Sequence, residues 1–318
     1  MHTPQQAGAC KDPCQILYAP EPCISLHAYA ILHSSVTSGC KPSLNYRHAF
    51  HAGNFADVHK HVVLLALLER LTAKPKPLLY LDTHAGRGLY DLQSADAARS
   101  GEWRSGVARV LSGAADCEEV RRYQQAVSSA AKPQYPGSPL IASQCLRDID
   151  RIVLVEQQVT EAQALEGALR GRRGVSVVCG DGYAALKTYL PPRENRGLVL
   201  IDPPYESDRE FTYVEKALRL GLGRWPNGSF AIWHPIKAGQ ESHRFHAALR
   251  QSGLRKLLLL ELSVRPADSP LGLNGSAMII ANPPWQFEDV MRTALAELHS
   301  LLDPERAGNT RVQWLVAE

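Results

Sequence analysis

A Rossmann-like α/β fold is predicted by this sequence: an open, mostly parallel sheet covered by helices, with a small helical subdomain inserted. Three observations predict it. Short, continuously apolar segments alternate with segments of helical period, the pattern of a parallel sheet buried on both faces. Three successive apolar segments end in an acid, at Asp82, Glu156 and Asp181. The chain between the first two of these acids is far longer than the roughly 20 residues that separate the first glycine turn from the ribose-binding acid in dinucleotide folds.

Along the chain, residues 1–43 carry Pro4, Pro13, Pro20, Pro22 and Pro42 with no lasting period. They are expected to be a disordered extension or a start assigned too far upstream. A targeting segment fits less well, because the stretch has only Lys11 and Lys41 as basic residues and acids at Asp12 and Glu21. Residues 44–318 are expected to form the folded domain. Phe55 to Leu71 places apolar residues at Phe55, Val58, Val62, Leu65 and Leu68, which predicts an amphipathic helix. Lys74-Pro-Lys-Pro77 ends it. A buried strand follows over Pro77–Asp82, then a tight turn over Thr83–Gly88. Further strands are predicted at 151–156, 175–181 and 197–202, each followed by a helical segment near 160–170, 182–190 and 209–222. Three later strands are expected at 229–233, 256–262 and 276–281. The long connection between the first two strands, about 94–137, holds two helix-like stretches (103–112 and 117–131) and six basic residues: Arg99, Arg104, Arg109, Arg121, Arg122 and Lys132. Such an insertion at a cleft mouth suits RNA phosphates, and an ordinary solvated helical face has the same composition.

Composition excludes several classes. Hydrophobic content of 45% and charged content of 21% over 318 residues are those of a globular protein. A net charge of +3 is too small for the whole-molecule field to indicate a polyanionic partner. The seven cysteines include no C-x-x-C pair, which argues against a zinc knuckle or a redox motif and for a reducing, cytoplasmic setting. No apolar run approaches the roughly 18 residues of a membrane span.

The chemistry is concentrated at the strand ends. Gly86-x-Gly88 opens a turn whose backbone can approach a ligand closely, although a plain tight turn has the same sequence. Glu156 is placed to accept ribose hydroxyls, and Asp181-Gly182 to meet an adenine amine. Asp202-Pro-Pro-Tyr205, directly after a buried strand, resembles the catalytic motif of amino-methyltransferases that act on adenine. An adenine amine is a poor nucleophile because its lone pair is delocalised into the ring. The Asp202 carboxylate and the Pro203 carbonyl can hold both amine hydrogens and draw the nitrogen toward a tetrahedral shape, and Tyr205 can stack on the base. This requires Asp202 to face the glycine-turn crevice, with space for a ring, and not to be consumed in a buried ion pair.

Asn282-Pro-Pro-Trp285 matches the broader motif as well. It follows a strand expected to run antiparallel and so to end at the opposite edge of the sheet, which makes it a strand-ending turn with Trp285 packed in the core. The run from Tyr46 to His61 mixes aromatic, basic and imidazole groups. His59 and His61 point apart on a helix, and an Asp57–His61 pair alone is a poor metal site, so no metal is expected. A lid segment contacting cofactor and base is the favoured reading, with local packing competing for His48 and His51.

Taken together, Tyr46-Arg-His-x-Phe-His-Ala-Gly-Asn, Ala56-Asp-Val-x-Lys-His61, Leu79-Tyr-Leu-Asp-Thr-His-Ala-Gly-x-Gly88, Tyr135-Pro-Gly-Ser-Pro-Leu-Ile-Ala142, Asp181-Gly182, Leu200-Ile-Asp-Pro-Pro-Tyr205 and Asn282-Pro-Pro-Trp285 resemble the bacterial 23S rRNA (adenine(2030)-N6)-methyltransferases. The resemblance runs from about residue 44 to the C-terminus. It implies a class I fold dependent on S-adenosylmethionine with a helical insertion. By motif it also implies cofactor contacts at His61, His84, Ser138, Glu156, Asp181, Gly182 and Asp202, catalysis by Asp202, and an RNA contact at Tyr46 beside Pro203 and Tyr205. The implied partner is 23S rRNA, naked or partly assembled, bound by a cytoplasmic monomer. Gln157-Gln158 after Glu156 departs from the family pattern, and residues 1–43 have no counterpart in it. A DNA adenine methyltransferase, or an RNA-binding assembly factor without activity, is the alternative.

Overall fold

The structure, a computed structural model, describes residues 48–207 and 209–318. Tyr46, the 1–43 segment and Cys10, Cys14, Cys23 and Cys40 lie outside the described residues. A 3-10 turn (His48–Phe50) leads into α1 (Phe55–Thr72) and then β1 (Leu79–Asp82). The insertion follows as β2 (Leu89–Asp91), α2 (Ala95–Ser100), α3 (Glu102–Ser105), α4 (Val107–Ser112), α5 (Glu118–Ser128), β3 (Gln134–Pro136) and α6 (Ser138–Cys145). The chain then alternates through β4 (Arg151–Glu156), α7 (Val159–Ala168), β5 (Val175–Cys179), α8 (Gly182–Tyr189), β6 (Gly197–Ile201), α9 (Glu210–Arg224), β7 (Ser229–Lys237) and α10 (Glu241–Gln251). It closes with β8 (Leu257–Ser263), β9 (Leu273–Ala281), α11 (Phe287–Leu302) and β10 (Thr310–Val316).

Eight strands form one sheet in the order β10-β8-β9-β7-β6-β1-β4-β5. From β5 through β7 every pairing is parallel. β9 runs antiparallel to both β7 and β8, and β10 antiparallel to β8. The chain winds outward from β1 through β4 to β5, then returns to lay β6 on the other side of β1. The crevice of an open α/β sheet forms at such a reversal, beyond the carboxyl ends of the strands.

Side chains alternate between the two faces of the sheet. Tyr80, Ile152, Leu154, Leu198, Leu200 and Ala231 pack into the core that contains α1. Leu81, Val155, Val199, Ile201 and Ile232 pack into the other core, with Leu186, Val214, Leu218 and Phe245 from α8, α9 and α10. By this alternation the residues that follow Tyr80, Leu154 and Leu200 two positions on, namely Asp82, Glu156 and Asp202, leave the sheet on the α1 face.

Two expectations need correction. α1 is not amphipathic: it is buried on all sides from Ala56 to Leu68, with Asp57, His59, Lys60 and His61 included. α5, α6, α11 and β9 surround it. The run Val62–Leu68 is apolar all round, the mark of a central helix. The helical part of the expected lid, Ala56 to His61, is therefore part of the core, while His48 to His51 are only partly buried. The insertion is also more broken than two helices. Residues 94–137 hold four, α2 to α5, and the β2–β3 pair closes its base. At Gly106, between α3 and α4, a Cβ would lie 2.2 Å from the Gly53 carbonyl oxygen. Val107, Val110, Val120, Tyr123 and Val127 join the α1 core, so the insertion extends the main core. Several of its basic groups are engaged within the protein. Arg122 pairs with Glu69 and Glu118, Arg121 with Glu118, and Arg109 donates to the Leu302 carbonyl. Among the described residues no helix is long and apolar enough to cross a membrane.

Candidate active site

The glycine turn is tied to both neighbouring strands. Thr83 N donates to Leu200 O at 3.0 Å and Ala85 N to Val155 O at 2.9 Å. Gly86 has φ 63°, and a Cβ there would lie 2.3 Å from the Tyr90 hydroxyl, so glycine is required on two counts. Glu156 reaches back to this turn: its Oε2 accepts from Gly86 N at 2.9 Å and its Oε1 from Gln158 N at 2.8 Å. Burial raises its pKa above the ordinary value. Each carboxylate oxygen has a second lone pair, which leaves acceptor capacity for hydroxyls. Asp82 is fully buried, receiving Ser138 Oγ at 2.7 Å, Tyr80 Oη at 3.0 Å and His84 N at 3.2 Å. Burial outweighs these donors and pushes its pKa up to about 6. Ser138 thus commits its hydroxyl hydrogen to Asp82 and keeps acceptor capacity only.

Asp181 caps α8, with Oδ1 accepting from Tyr183 N at 2.8 Å and Ala184 N at 3.2 Å, while Oδ2 takes no hydrogen bond among the described residues. A Cβ on Gly182 would sit 1.9 Å from the Thr83 carbonyl oxygen, so this glycine lets α8 press against the first turn. His84 bonds Thr83 Oγ1 at 2.8 Å and meets the Tyr183 ring edge-on at 5.1 Å. Burial lowers its pKa to about 4. His61 bonds the Tyr135 hydroxyl through Nδ1 at 2.8 Å. Its Nε2 is buried without a partner among the described residues, and burial lowers the imidazole pKa to about 3. A buried polar atom lacking a partner is rare and calls for a ligand or water. A recess of about 300 Å³ opens beside Asp181 between α8 and α9.

Asp202 follows β6 and leans toward α1. Its Oδ2 accepts from Lys60 Nζ at 2.5 Å. The same ammonium contacts Asp57 Oδ1 at 2.8 Å, and Asp57 Oδ2 contacts His48 Nε2 at 3.1 Å and accepts from Gly53 N at 3.0 Å. Burial works against the Lys60 charge, but the two carboxylates overcome it and raise its pKa well above the ordinary value. Asp57 is likewise opposed by burial, and His48 and Lys60 bring its pKa well below the carboxylate range. The Asp202 side chain is 14% exposed, and its Oδ1 has no partner among the described residues. An ion pair is therefore present at Asp202, but it occupies one oxygen and leaves the other. Sequence reasoning missed Lys60. The available signal was a lysine three residues after Asp57 inside an otherwise apolar helix, since a cation buried there needs anionic partners.

Pro203 is buried. Tyr205 has φ 49° and is 9% exposed, its hydroxyl donating to Trp233 O at 2.8 Å and its ring lying 4.9 Å from Phe211 and 5.7 Å from Trp233. Its ring is packed in this arrangement, in contrast to the open stacking platform expected. The second Pro-Pro turn lies at the other edge of the sheet, as its antiparallel strand requires. The Asn282 side-chain amide donates to Pro226 O at 2.7 Å and Gly228 O at 2.8 Å, tying β9 to the loop before β7. Trp285 is 86% exposed, which overturns its expected core packing. Proline at 283 and 284 turns the chain outward before α11 begins at Phe287, and Phe287 takes the buried position.

A parallel sheet with an antiparallel strand inserted beyond its fifth member, a glycine turn after the first strand and Asp-Pro-Pro-Tyr after the fourth is the architecture of a class I methyltransferase. The family described as RsmJ: Ribosomal RNA large subunit methyltransferase D, RlmJ, matches residues 75–316. The chain is 40% identical over 280 residues to a "Ribosomal RNA large subunit methyltransferase J" of Haemophilus influenzae, covering 86% of this chain and all of that one. It is 41% identical over 279 residues to the protein of that name from Escherichia coli, with the same coverage. A solved structure, protein LPL1258 from Legionella pneumophila, matches at a TM-score of 0.77 and 32% identity over 83% of this chain and 98% of that one. The chain belongs to this large-subunit ribosomal RNA methyltransferase family.

Proposed function

We propose that this protein transfers a methyl group from S-adenosylmethionine to N6 of an adenine in 23S rRNA, with Asp202 as the catalytic acceptor. The observation that carries the reading is the free Oδ1 of Asp202 at the switch point of the sheet, beside the glycine turn and on the face shared by Asp82 and Glu156. Glu156 offers the cofactor ribose its remaining lone pairs, and Asp181 Oδ2 and the Gly182 backbone meet the adenine ring. The unpartnered Nε2 of His61 supplies a polar contact from beneath, with His84 and Ser138 lining the same crevice. When bound, the cofactor supplies an electrophilic methyl on a sulfonium.

The protein's own part is to prepare the amine. Lys60 pins Oδ2 of Asp202, so Oδ1 is presented in a fixed direction to one amine hydrogen, and the Pro203 carbonyl takes the other. The nitrogen lone pair is thereby turned toward the methyl, and the surplus proton leaves to Asp202 or to water. The base must leave its stack to reach this crevice, which favours naked or partly assembled RNA as substrate. Tyr46 is proposed to contact that RNA from the segment preceding α1.

Mass mapping of 23S rRNA from cells lacking the protein is the test. One adenine should lose its N6-methyl group and regain it when the gene is restored. Unchanged rRNA, or purified enzyme that methylates only duplex DNA, would overturn the substrate assignment.

A further inference from the structure

Trp233 stands out on β7. Its neighbours Ile232 and His234 are fully buried, whereas the Trp233 indole is only half-buried. The β6–β7 register pairs Ile201 with Ile232, so the next position on each strand sets Trp233 beside Asp202 at the carboxyl edge. Adjacent strands lie about 4.8 Å apart, and register neighbours point to the same face. The indole therefore emerges on the α1 face next to the acid that grips the amine.

The ring is also fixed in orientation. Its Nε1 donates to Ser276 Oγ at 2.9 Å, and Ser276 Oγ lies 2.9 Å from His59 Nδ1. An indole nitrogen only donates, so the serine oxygen accepts from it, and Nδ1 of His59 bonds the same hydroxyl and holds it in place. Burial lowers this imidazole's pKa to about 3, so it stays neutral and keeps that role. Consecutive residues of α1 thus hold the two groups, His59 through Ser276 for Trp233 and Lys60 for Asp202. Tyr205 meets Trp233 at 70°, with centroids 5.7 Å apart, so the two rings form a corner and not a stack.

We infer that Trp233 forms a wall of the target-base pocket, holding the adenine ring face-on, with the packed Tyr205 ring bracing the indole from the side. Ser276 and His59 act as positioning residues through the indole N–H. The inference rests on the adenine-methyltransferase reading above.

Purified wild type, Trp233→Leu, Trp233→Phe and Ser276→Ala are compared on 23S rRNA. Trp233→Leu should lower kcat/KM for RNA about 10- to 100-fold, the loss of one stacking surface, with Kd for S-adenosylmethionine within about twofold. Trp233→Phe should keep most activity, and Ser276→Ala should lose about 3-fold. As a separate readout, adenosine monophosphate added with S-adenosylhomocysteine should quench intrinsic fluorescence of the wild type, and that component should vanish in Trp233→Phe. Equal quenching in both, or a folded Trp233→Leu enzyme within twofold of wild type, overturns the inference. Wild type that forms no N6-methyladenosine overturns the underlying reading instead.

Discussion

Asp202-Pro-Pro-Tyr205 and Asn282-Pro-Pro-Trp285 each follow a buried strand of the same sheet, and each contains a non-glycine residue with positive φ, Tyr205 at 49° and Asn282 at 51°. Their surroundings differ. The first turn lies at the carboxyl edge of a parallel strand, its acid facing a buried lysine and its tyrosine enclosed by Phe211 and Trp233. The second ends an antiparallel strand at the opposite edge, its amide bound to two backbone carbonyls and its tryptophan in solvent. Left-handed backbone costs a tyrosine roughly 1–3 kcal/mol but is readily adopted by asparagine. Strain is kept where the surroundings enforce it, at the turn that faces the crevice. Strand direction, not the tetrapeptide, assigns the chemistry.

The largest effect expected is at the acid. Asp202→Asn should lower methyl transfer by roughly 10³-fold or more, whereas Asn282→Asp should leave turnover per folded molecule unchanged. Comparable losses in the two variants would erase the distinction between the turns. Removing the cation comes next. Lys60→Met leaves Asp57 facing Asp202 without compensation, and unfolding in denaturant should show a loss of about 3–5 kcal/mol together with reduced activity. A fully stable, fully active variant would show that Lys60 holds nothing in place.

Asn282→Ala should cost about 1–3 kcal/mol, because two carbonyls lose their donor, with activity retained in the folded fraction. A variant as stable as wild type would mean those bonds are replaced by water at no cost.

The site face also differs from the Asn282 turn in its buried imidazoles. Burial sets the pKa of His59 and His61 to about 3 and of His84 to about 4. His234 on β7 and His246 on α10 sit at about 4 and about 3 for the same reason. An unfolded histidine titrates near 6.5. As the pH falls below that value the unfolded chain takes up protons that the folded protein refuses, so stability declines down to about pH 3. Asp82 acts in the opposite sense. Its folded pKa of about 6 lies above the unfolded value, so protonation between pH 6 and 4 stabilises the fold. Burial raises Glu156 and Glu261 in the same sense, but Asp57, held well below the carboxylate range, adds to the loss, so these carboxyls offset only a part of five imidazoles. Melting temperatures should therefore fall steadily from pH 6.5 to 4, and more steeply in Asp82→Asn. A flat profile would contradict the neutral, buried state of these rings. The smallest effect is expected at Trp285→Ala, within about 0.5 kcal/mol of wild type.

Much of the site was legible because strand ends are local signals. An apolar run followed by Asp82, Glu156 or Asp202 places each acid on the carboxyl edge before any packing is known. Helix surroundings are not local. α1 reads as amphipathic until α5, α6 and α11 cover its remaining side, and the partner of Lys60 is invisible until Asp202, far away in sequence, meets it. The insertion's helices break at Gly101, where the backbone is left-handed, and at Gly106, where close approach to the Gly53 backbone decides the geometry. Trp285 was misplaced because an aromatic after a strand resembles a core residue, while Phe287 two positions on fills that role. β10 was unread because its burial is completed only by pairing with β8.

The central claim is that the free oxygen of Asp202 prepares an adenine amine for methyl transfer. The most direct measurement is nucleoside analysis by mass spectrometry of 23S rRNA treated with S-adenosylmethionine and either wild type or Asp202→Asn, with cofactor binding followed in parallel. N6-methyladenosine should form with wild type and be absent with a variant that still binds the cofactor. Formation at the wild-type rate by the variant, or methylation by wild type at another atom, would contradict it.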